Sequence, residues 1–412
     1  MGIVVQKYGG TSVGDADRIR NVAKRVVATA EQGHRVVVVV SAMGHTTDEL
    51  AHMAHQIAPI PPAREFDMLL SSGERISMAL LSMAIIGLGH DSVSFTGSQA
   101  GIVTDTSHTK ARILEIQPTR IVKALDEGRI VIVAGFQGVS TTKDVTTLGR
   151  GGSDTTAVAI AAALKADVCE IYTDVDGVYT ADPRVVPDAR KLHVVSYLEM
   201  LEMAANGARV LQLRSVEYAR NYGVVIHCRS SFGFEKGTFI QEEDERMEKA
   251  MISGVVHDTS EAMIRIRRVP DTPGVAARLF GGLADEGINV DMIVQNVSED
   301  GRTDVSFTMS EDDLGRSRAA IERIANEIGA EGFTADADIG KVSLVGAGMR
   351  SHPGVAAGMF QSLAEAGVNL EMISTSAIRI SCVVRAKDVE RAVRVLHARF
   401  DLPGEAIQRE HI

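Results

Sequence analysis

Residues 36–40 are five valines in a row, inside the run Arg35–Ser41. Branching at Cβ makes such a stretch a poor helix and a good pleated strand. It offers no polar side chain to either face, so it belongs in a strand buried on both. That condition calls for a largely parallel sheet with helices above and below. Strand-like runs at Ile3–Lys7, Arg35–Ser41, Ser92–Thr96, Ile130–Ala134, Val168–Tyr172 and Val224–Arg229 supply the sheet. Helical patterns lie among them at Asp15–Glu31, Glu65–Leu88, Thr119–Glu127, Thr155–Lys165 and Ser215–Asn221. In such a fold the ligand site lies beyond the carboxyl ends of the strands.

A chain of 412 residues has room for two or three domains. Lys and Arg number 43 against 54 Asp and Glu, a net charge of −11, with no basic block. Nucleic acid and an anionic membrane surface are therefore poor partners. The absence of Trp also weakens a base-stacking platform. Cys169, Cys228 and Cys382 are too few and too scattered for a disulfide framework or a zinc cluster, which favours a reducing compartment. The apolar stretch Met78–Gly89 is too short to span a bilayer, and no signal peptide precedes Ile3, so a soluble, cytoplasmic protein is expected.

From residue 231 the character changes. Residues 231–250 carry glycines and then a dense charge run, the expected linker, as a loop or a solvated helix. Beyond it the chain repeats itself. Asp271-Thr-Pro-Gly-Val-Ala-Ala and Ser351-His-Pro-Gly-Val-Ala-Ala match at an offset of 80, and Gly287-Ile-Asn289 answers Gly367-Val-Asn369. Each copy places a helix with apolar residues at i, i+3, i+4 and i+7 between strand-like runs. This predicts a small α+β module made twice, the first about 262–336 and the second about 337–412 with 251–261.

Two segments in the first half carry chemistry. Lys7-Tyr-Gly-Gly-Thr-Ser-Val-Gly14 joins a strand end to a helix. Glycines let backbone N–H groups approach an anion, a helix start adds favourable dipole charge, and the lysine supplies a point charge. Ser12-x-x-Asp15 reads as a capping box. Gly149-Arg-Gly-Gly-Ser-Asp-Thr-Thr156 precedes the apolar Ala157–Leu164. Arg150 can grip a carboxylate, and Asp154 can orient a lysine or hold a metal. The plainer alternatives are a glycine turn with an incidental lysine, and N-capping by Ser153 or Asp154. Two phosphate-friendly elements in one α/β domain suggest phosphoryl transfer.

With Ser41-Ala-Met-Gly-His-Thr-Thr47, Ser72-Gly-Glu-Arg75 and Tyr172–Arg184, these motifs resemble aspartate kinase over essentially the whole chain. The resemblance implies a carbamate-kinase-like, parallel-sheet amino-acid-kinase domain over 1–230, followed by two ferredoxin-like ACT domains over 251–412. It implies phosphorylation of the side-chain carboxylate of L-aspartate by ATP with Mg2+, the first step of lysine, threonine and methionine biosynthesis. Lys7 and Asp154 then match catalytic positions, and Glu74 the receiver of the substrate ammonium. Arg150 matches the group that binds the α-carboxylate, while Ser41, Thr47 and Ser153 match further substrate contacts. Gly9, Gly10, Thr11 and Ser12 match the phosphate loop, and Thr173, Asp174, Tyr179, Asp182 and Arg184 the nucleotide segment. Lys236-Gly-Thr238 is a further candidate for the phosphates. Effectors, lysine or threonine or both, match Asp271, Gly274, Val275, Ala276, Asn289, Asp291 and Gln295 in one unit and Val355, Ala356, Asn369 and Ser376 in the other. A homodimer or an α2β2 heterotetramer through the ACT units is implied, with Met251 where some relatives begin a separate regulatory subunit.

Other readings stay open at this point. The repeat could serve only to dimerise, and Glu74 could be a solvated helix-start residue. Another amino-acid kinase, for glutamate or carbamate, would lack this tail; a non-catalytic sensor would not need Lys7, Glu74, Arg150 and Asp154 intact. His45, His52 and His55 read as a surface helix face, and Met68, Met78 and Met83 as core filling.

Overall fold

The computed structural model describes residues 2–243, 252–296, 300–352 and 354–402. Its largest sheet has eight strands in the order Val194–Ser196, Thr238–Gln241, Ile226–Ser230, Val168–Thr173, Ile3–Tyr8, Arg35–Val40, Ile130–Ala134 and Ser92–Phe95. The six strands from Ile226–Ser230 to Ser92–Phe95 run parallel, and Thr238–Gln241 is antiparallel to its neighbour Ile226–Ser230. The valine run sits near the middle and is buried throughout. Val37 and Val39 face one layer, with Val5, Ile171 and helix α6 (Gly152–Leu164); Val36, Val38 and Val40 face the other, with α1 (Ala16–Glu31) and α4 (Ser72–Gly87).

The helices follow their apolar spacing. In α1, Ile19, Val22, Ala23, Val26 and Val27 are buried. Asp15 is its N-cap and accepts the Arg18 N–H at 2.8 Å. Ser12 therefore does not cap α1 as the spacing predicted; it lies in the 3-10 turn Gly10–Val13 and bonds the Ser231 hydroxyl. The expected single helix Glu65–Leu88 is two, α3 (Ala63–Leu70) and α4, after α2 (Thr46–Ile57). Ser71 and Ser72 hydroxyls donate to the carbonyls of Met68 and Leu69, and Gln137 takes the Ser71 carbonyl, so side chains compete with the helical ladder at the joint. Taken together Ala63–Gly87 is long and apolar enough to cross a membrane by composition, unlike the shorter stretch read from sequence. Here it packs against the sheet and buries Asp67 and Glu74. Met68 and Met83 are exposed rather than core, while Met78, on α4, packs against the core below it.

The remaining helices of the first domain are α5 (Thr119–Asp126), α7 (Tyr197–Ala205) and α8 (Leu213–Tyr222). The linker expected over 231–250 is shorter than that, because Thr238–Gln241 is a sheet strand with Thr238 and Ile240 buried. Residues 244–251, including Met251, lie outside the described residues. All three cysteines are buried and free.

The repeat folds as two antiparallel four-stranded sheets. The first has strands Asp291–Gln295, Arg302–Ser310, Glu261–Pro270 and Phe333–Asp336, with α9 (Val275–Asp285) and α10 (Glu311–Glu327). The second has Gly254–Asp258, Ile339–Val345, Arg379–Arg385 and Met372–Thr375, with α11 (Val355–Glu365) and α12 (Val389–Arg399). Gly254–Asp258 precedes the first unit in sequence but pairs with Ile339–Val345 of the second. A shared cluster joins the units: Met263, Met292 and Val294 meet Ile339, Met372 and Val383.

Candidate active site

The parallel strands deliver Lys7, Ser41 and Gly135 to one end of the sheet. Lys7 points into the layer of α6, where its ammonium lies 2.5 Å from Asp154, both side chains nearly buried. The contact meets ion-pair distance without hydrogen-bond alignment. Asp154 and Ser153 sit in the first turn of α6, which starts after Gly151 with no side-chain cap. Neither residue is the N-cap, so their side chains are left for other work.

The turn before α6 has its shape imposed. Gly149 and Gly151 have φ of 77° and 70°, a region open to glycine and costly for other residues. From α8, Arg214 donates to the carbonyls of Leu148 and Ala111 at 2.7 and 3.1 Å. Buried Asp67 accepts from the Thr147 hydroxyl at 2.5 Å and the Thr109 N–H at 3.1 Å, fixing the strand that leads in. Arg150 stands exposed at the crest of this turn, four residues before the lysine's partner. Neither Asp67 nor Arg214 was singled out from the sequence; no motif marks a residue that works by holding a loop.

On the other side of Lys7 the glycine loop packs against the loop after the valine strand. The Gly44 N–H donates to the Gly10 carbonyl at 3.0 Å. A Cβ at Gly10 would lie 2.9 Å from the Gly44 carbonyl oxygen and 3.0 Å from that of Ala42, so no side chain fits. Glu74 opens α4 immediately behind. It is 2% exposed, and one carboxylate oxygen accepts the Ala42 N–H at 3.2 Å. The other oxygen, Oε2, is buried with no partner. Burial pushes the Glu74 carboxyl up to about 7, with the Ala42 N–H pulling the other way. A buried carboxylate with one oxygen unanswered is a receptor for a cation. Ser41 and Thr47 are half-buried in the same loop and the start of α2.

The expected nucleotide residues make most of their contacts in local pairs, and Asp174 lies within electrostatic reach of Arg184. Thr173 donates to the exposed Asp174. Tyr179 donates to Asp176, which also takes the Lys191 ammonium at 2.9 Å. Burial alone would raise the Asp176 carboxyl, but these two donors hold it below its ordinary value. Asp176 and Lys191 were missed from sequence, where the acidic run Asp174-Val-Asp176 gave no sign of which carboxylate turned inward. Asp182 and Arg184 pair with each other, and the apolar residues beside them, Ala181, Val185 and Val186, join the core of the second repeat unit. Thr238, a candidate for the phosphates, is buried instead, accepting the Val178 N–H and donating to the Leu192 carbonyl. Lys236 is exposed.

In the repeat, Val275 and Val355 are core side chains, and Gly274 and Gly354 hold φ of 91° and 102° before α9 and α11. Asp271, Ala276, Asn289, Gln295 and Asn369 are exposed, and Ala356 is half-buried. Asp291 is already engaged. The Lys341 ammonium, wholly buried, lies 3.0 Å from it and 2.5 Å from Glu261, bridging the two units. Ser376 faces the first domain: its hydroxyl donates to Glu202 of α7 at 3.3 Å, beside Arg379, which pairs with the same carboxylate. Ser253 and the Ala347 N–H reach Glu199 on that helix, and Thr180 meets His397. Among the described residues no group of three or more His, Cys, Asp or Glu could hold a metal.

A parallel sheet with a lysine, a glycine loop and a buried carboxylate at its strand ends, followed by two α+β modules, defines an amino acid kinase bearing ACT domains. The amino acid kinase family model matches residues 2–230, and ACT domain models match 262–326 and 342–400. Aspartokinase of Mycolicibacterium smegmatis is 57% identical over 98% of this chain and 97% of its own. The structure of E. coli aspartokinase III with aspartate and ADP (R-state) is 25% identical, covers 96% of this chain and 99% of its own, and superposes with a TM-score of 0.82. The same enzyme with lysine and aspartate (T-state) is 26% identical, covers 97% and 99%, and gives 0.74. The chain belongs to the aspartokinase family and is a kinase.

Proposed function

We propose that the chain transfers the terminal phosphoryl group of ATP to the side-chain carboxylate of L-aspartate, giving 4-phospho-L-aspartate. The observation that carries this is the unanswered Oε2 of buried Glu74, held by the loop after the valine strand, at the same strand ends as the Lys7–Asp154 pair. An amino-acid substrate brings one ammonium and two carboxylates, and the loops at this strand end hold a carboxylate, a lysine and an arginine to meet them. Glu74 takes the ammonium, Arg150 the α-carboxylate, and Ser41, Thr47 and Ser153 the remaining polar contacts. An aspartate- and ADP-bound relative supports that pairing of ligands.

The side-chain carboxylate is already a nucleophile and needs no base. Its oxygen forms the new bond to phosphorus as the bond to the bridging oxygen breaks, and ADP departs with that electron pair. The difficulty is electrostatic, because two anions must meet. Lys7 spreads positive charge over the transferring group, and Asp154 holds the lysine in place. In the loop Gly9, Gly10, Thr11 and Ser12, the Gly9 and Ser12 N–H groups already donate to the Tyr172 and Gly9 carbonyls, so Gly10 and Thr11 are the ones to bring main-chain N–H groups close. Among the described residues no group of His, Cys, Asp or Glu forms a metal cage, and Mg2+ would be held here mainly by nucleotide phosphates and water. Purified protein with ATP, Mg2+ and aspartate should yield an acyl phosphate trapped by hydroxylamine. Absence of that product from folded protein would sink the assignment.

The ACT units serve as feedback sensors for lysine, threonine or both. A lysine-bound relative supports lysine, and the Ser376–Glu202 and Arg379–Glu202 contacts give the second unit a hold on the kinase domain. Half-exposed Ile293 and Ile373, on packed strands of the two units, offer an apolar strip for association as a homodimer or a heterotetramer. Velocity sedimentation and activity with each amino acid, separately and together, test both points.

A further inference from the structure

Two arginines on α1 have no part in the mechanism above. Arg18 and Arg25 are seven residues apart, two turns along one helix face. Arg25 donates to the Ser230 and Gly233 carbonyls, each at 2.8 Å. Its guanidinium lies between the rings of Tyr172 and Phe234, at 4.9 and 5.0 Å. Arg18 donates to the Thr11 carbonyl at 2.7 Å and lies 5.4 Å from the centre of the Phe232 ring. The segment they hold is tied twice more: the Ser231 and Ser12 hydroxyls meet at 2.5 Å, and the Ser231 N–H donates to the Thr173 carbonyl at 2.8 Å.

We propose that Arg25, assisted by Arg18, is a positioning residue of the nucleotide site, clipping segment 230–234 onto the glycine loop and the end of the Thr173 strand. Without the clip, Phe232 and Phe234 have little reason to stay. They are 58% and 88% exposed, and they lie between strands rather than in one. Carbonyl contacts from two different terminal nitrogens and a flat cation over two rings suit a guanidinium and not an ammonium. The clip ties the wall carrying Lys236 to the loop carrying Thr11 and Ser12, so nucleotide binding does not have to order it first. The inference rests on the nucleotide reading of that loop.

The test compares wild type, Arg25→Met, Arg25→Lys and Phe234→Ala in the full chain, with Arg20→Met as a control. Arg20 lies on the same helix, exposed and paired with Asp17. Arg25→Met should raise the KM for ATP about tenfold and leave the KM for aspartate within about twofold. Lysine should recover less than half of the loss, and Arg20→Met should match wild type. Should Arg25→Met fail to fold, Phe234→Ala, which removes only an exposed ring, should still raise the ATP KM about threefold. An unchanged ATP KM in Arg25→Met, or both KM values rising together as the thermal midpoint falls, overturns the clip. Wild type lacking any ATP-dependent turnover overturns the functional reading itself, and the clip with it.

Discussion

Replacing Glu74 by glutamine separates what the fold tolerates from what the substrate needs. The side chain is almost wholly buried, its carboxyl raised from 4.5 to about 7 by burial. Keeping it charged in the free protein therefore costs about 3 kcal/mol relative to the unfolded chain. In acid below about pH 4.5 the group is protonated in both states and costs nothing. Between there and about pH 7 the unfolded chain ionises first, so the native state loses stability as pH rises; above that the full cost is present. Glutamine carries no charge at any pH. Its advantage in unfolding free energy should be near zero in acid and grow to about 3 kcal/mol above pH 7, a rise of about 6–12 °C in the kinase-domain midpoint. Meanwhile the ammonium loses its partner, and the KM for aspartate should climb about a hundredfold, one charged contact of about 3 kcal/mol. Calorimetry at a series of pH values and initial-rate kinetics read the two effects. A stability difference that stays flat between about pH 5 and about pH 8 would refute the burial argument, and an unchanged aspartate KM would refute the ammonium assignment.

Further perturbations probe the rest of the site. Gly10→Ala drives a methyl into two backbone carbonyls that have no free rotor to yield, so about 1–3 kcal/mol of stability should be lost with a higher ATP KM, read by thermal melts and kinetics. Lys7→Ala should lower kcat by about a hundredfold or more. It also strands buried Asp154, so Lys7→Ala with Asp154→Ala should melt higher than Lys7→Ala alone. Lys341→Met leaves Glu261 and Asp291 without their shared cation, and chemical denaturation of the regulatory units should show about 3–5 kcal/mol lost. Ser376→Ala should weaken inhibition while calorimetric effector affinity changes little, because its hydroxyl, though exposed, is engaged by Glu202.

Periodicity and local chemistry were legible without coordinates. Five valines specify a doubly covered strand because no alternative hides them. The offset of 80 specifies two like modules, and both open their helix after a glycine of positive φ. Lys7 and Asp154 were both visible, each beside its own glycines. The failures share a cause, since each turns on which of several local options a distant residue takes up. Ser71 ends a helix because Gln137, far along the chain, takes its carbonyl. Ser12 gives up the cap to Asp15 and meets Ser231. The charge-flanked Thr238–Gln241 reads as linker until it is seen completing a sheet.

The sequence by itself settled the layered α/β body, the duplicated tail and the residue types that approach anions, because helix, strand and turn preferences act over a few neighbouring residues. Only the tertiary structure decided that Glu74 is buried with one oxygen unanswered, that Asp291 is occupied by Lys341 and that Ser376 touches the kinase domain. Burial, ion pairing and domain contact depend on which groups far apart in the chain exclude water from one another, and local spacing carries no record of that.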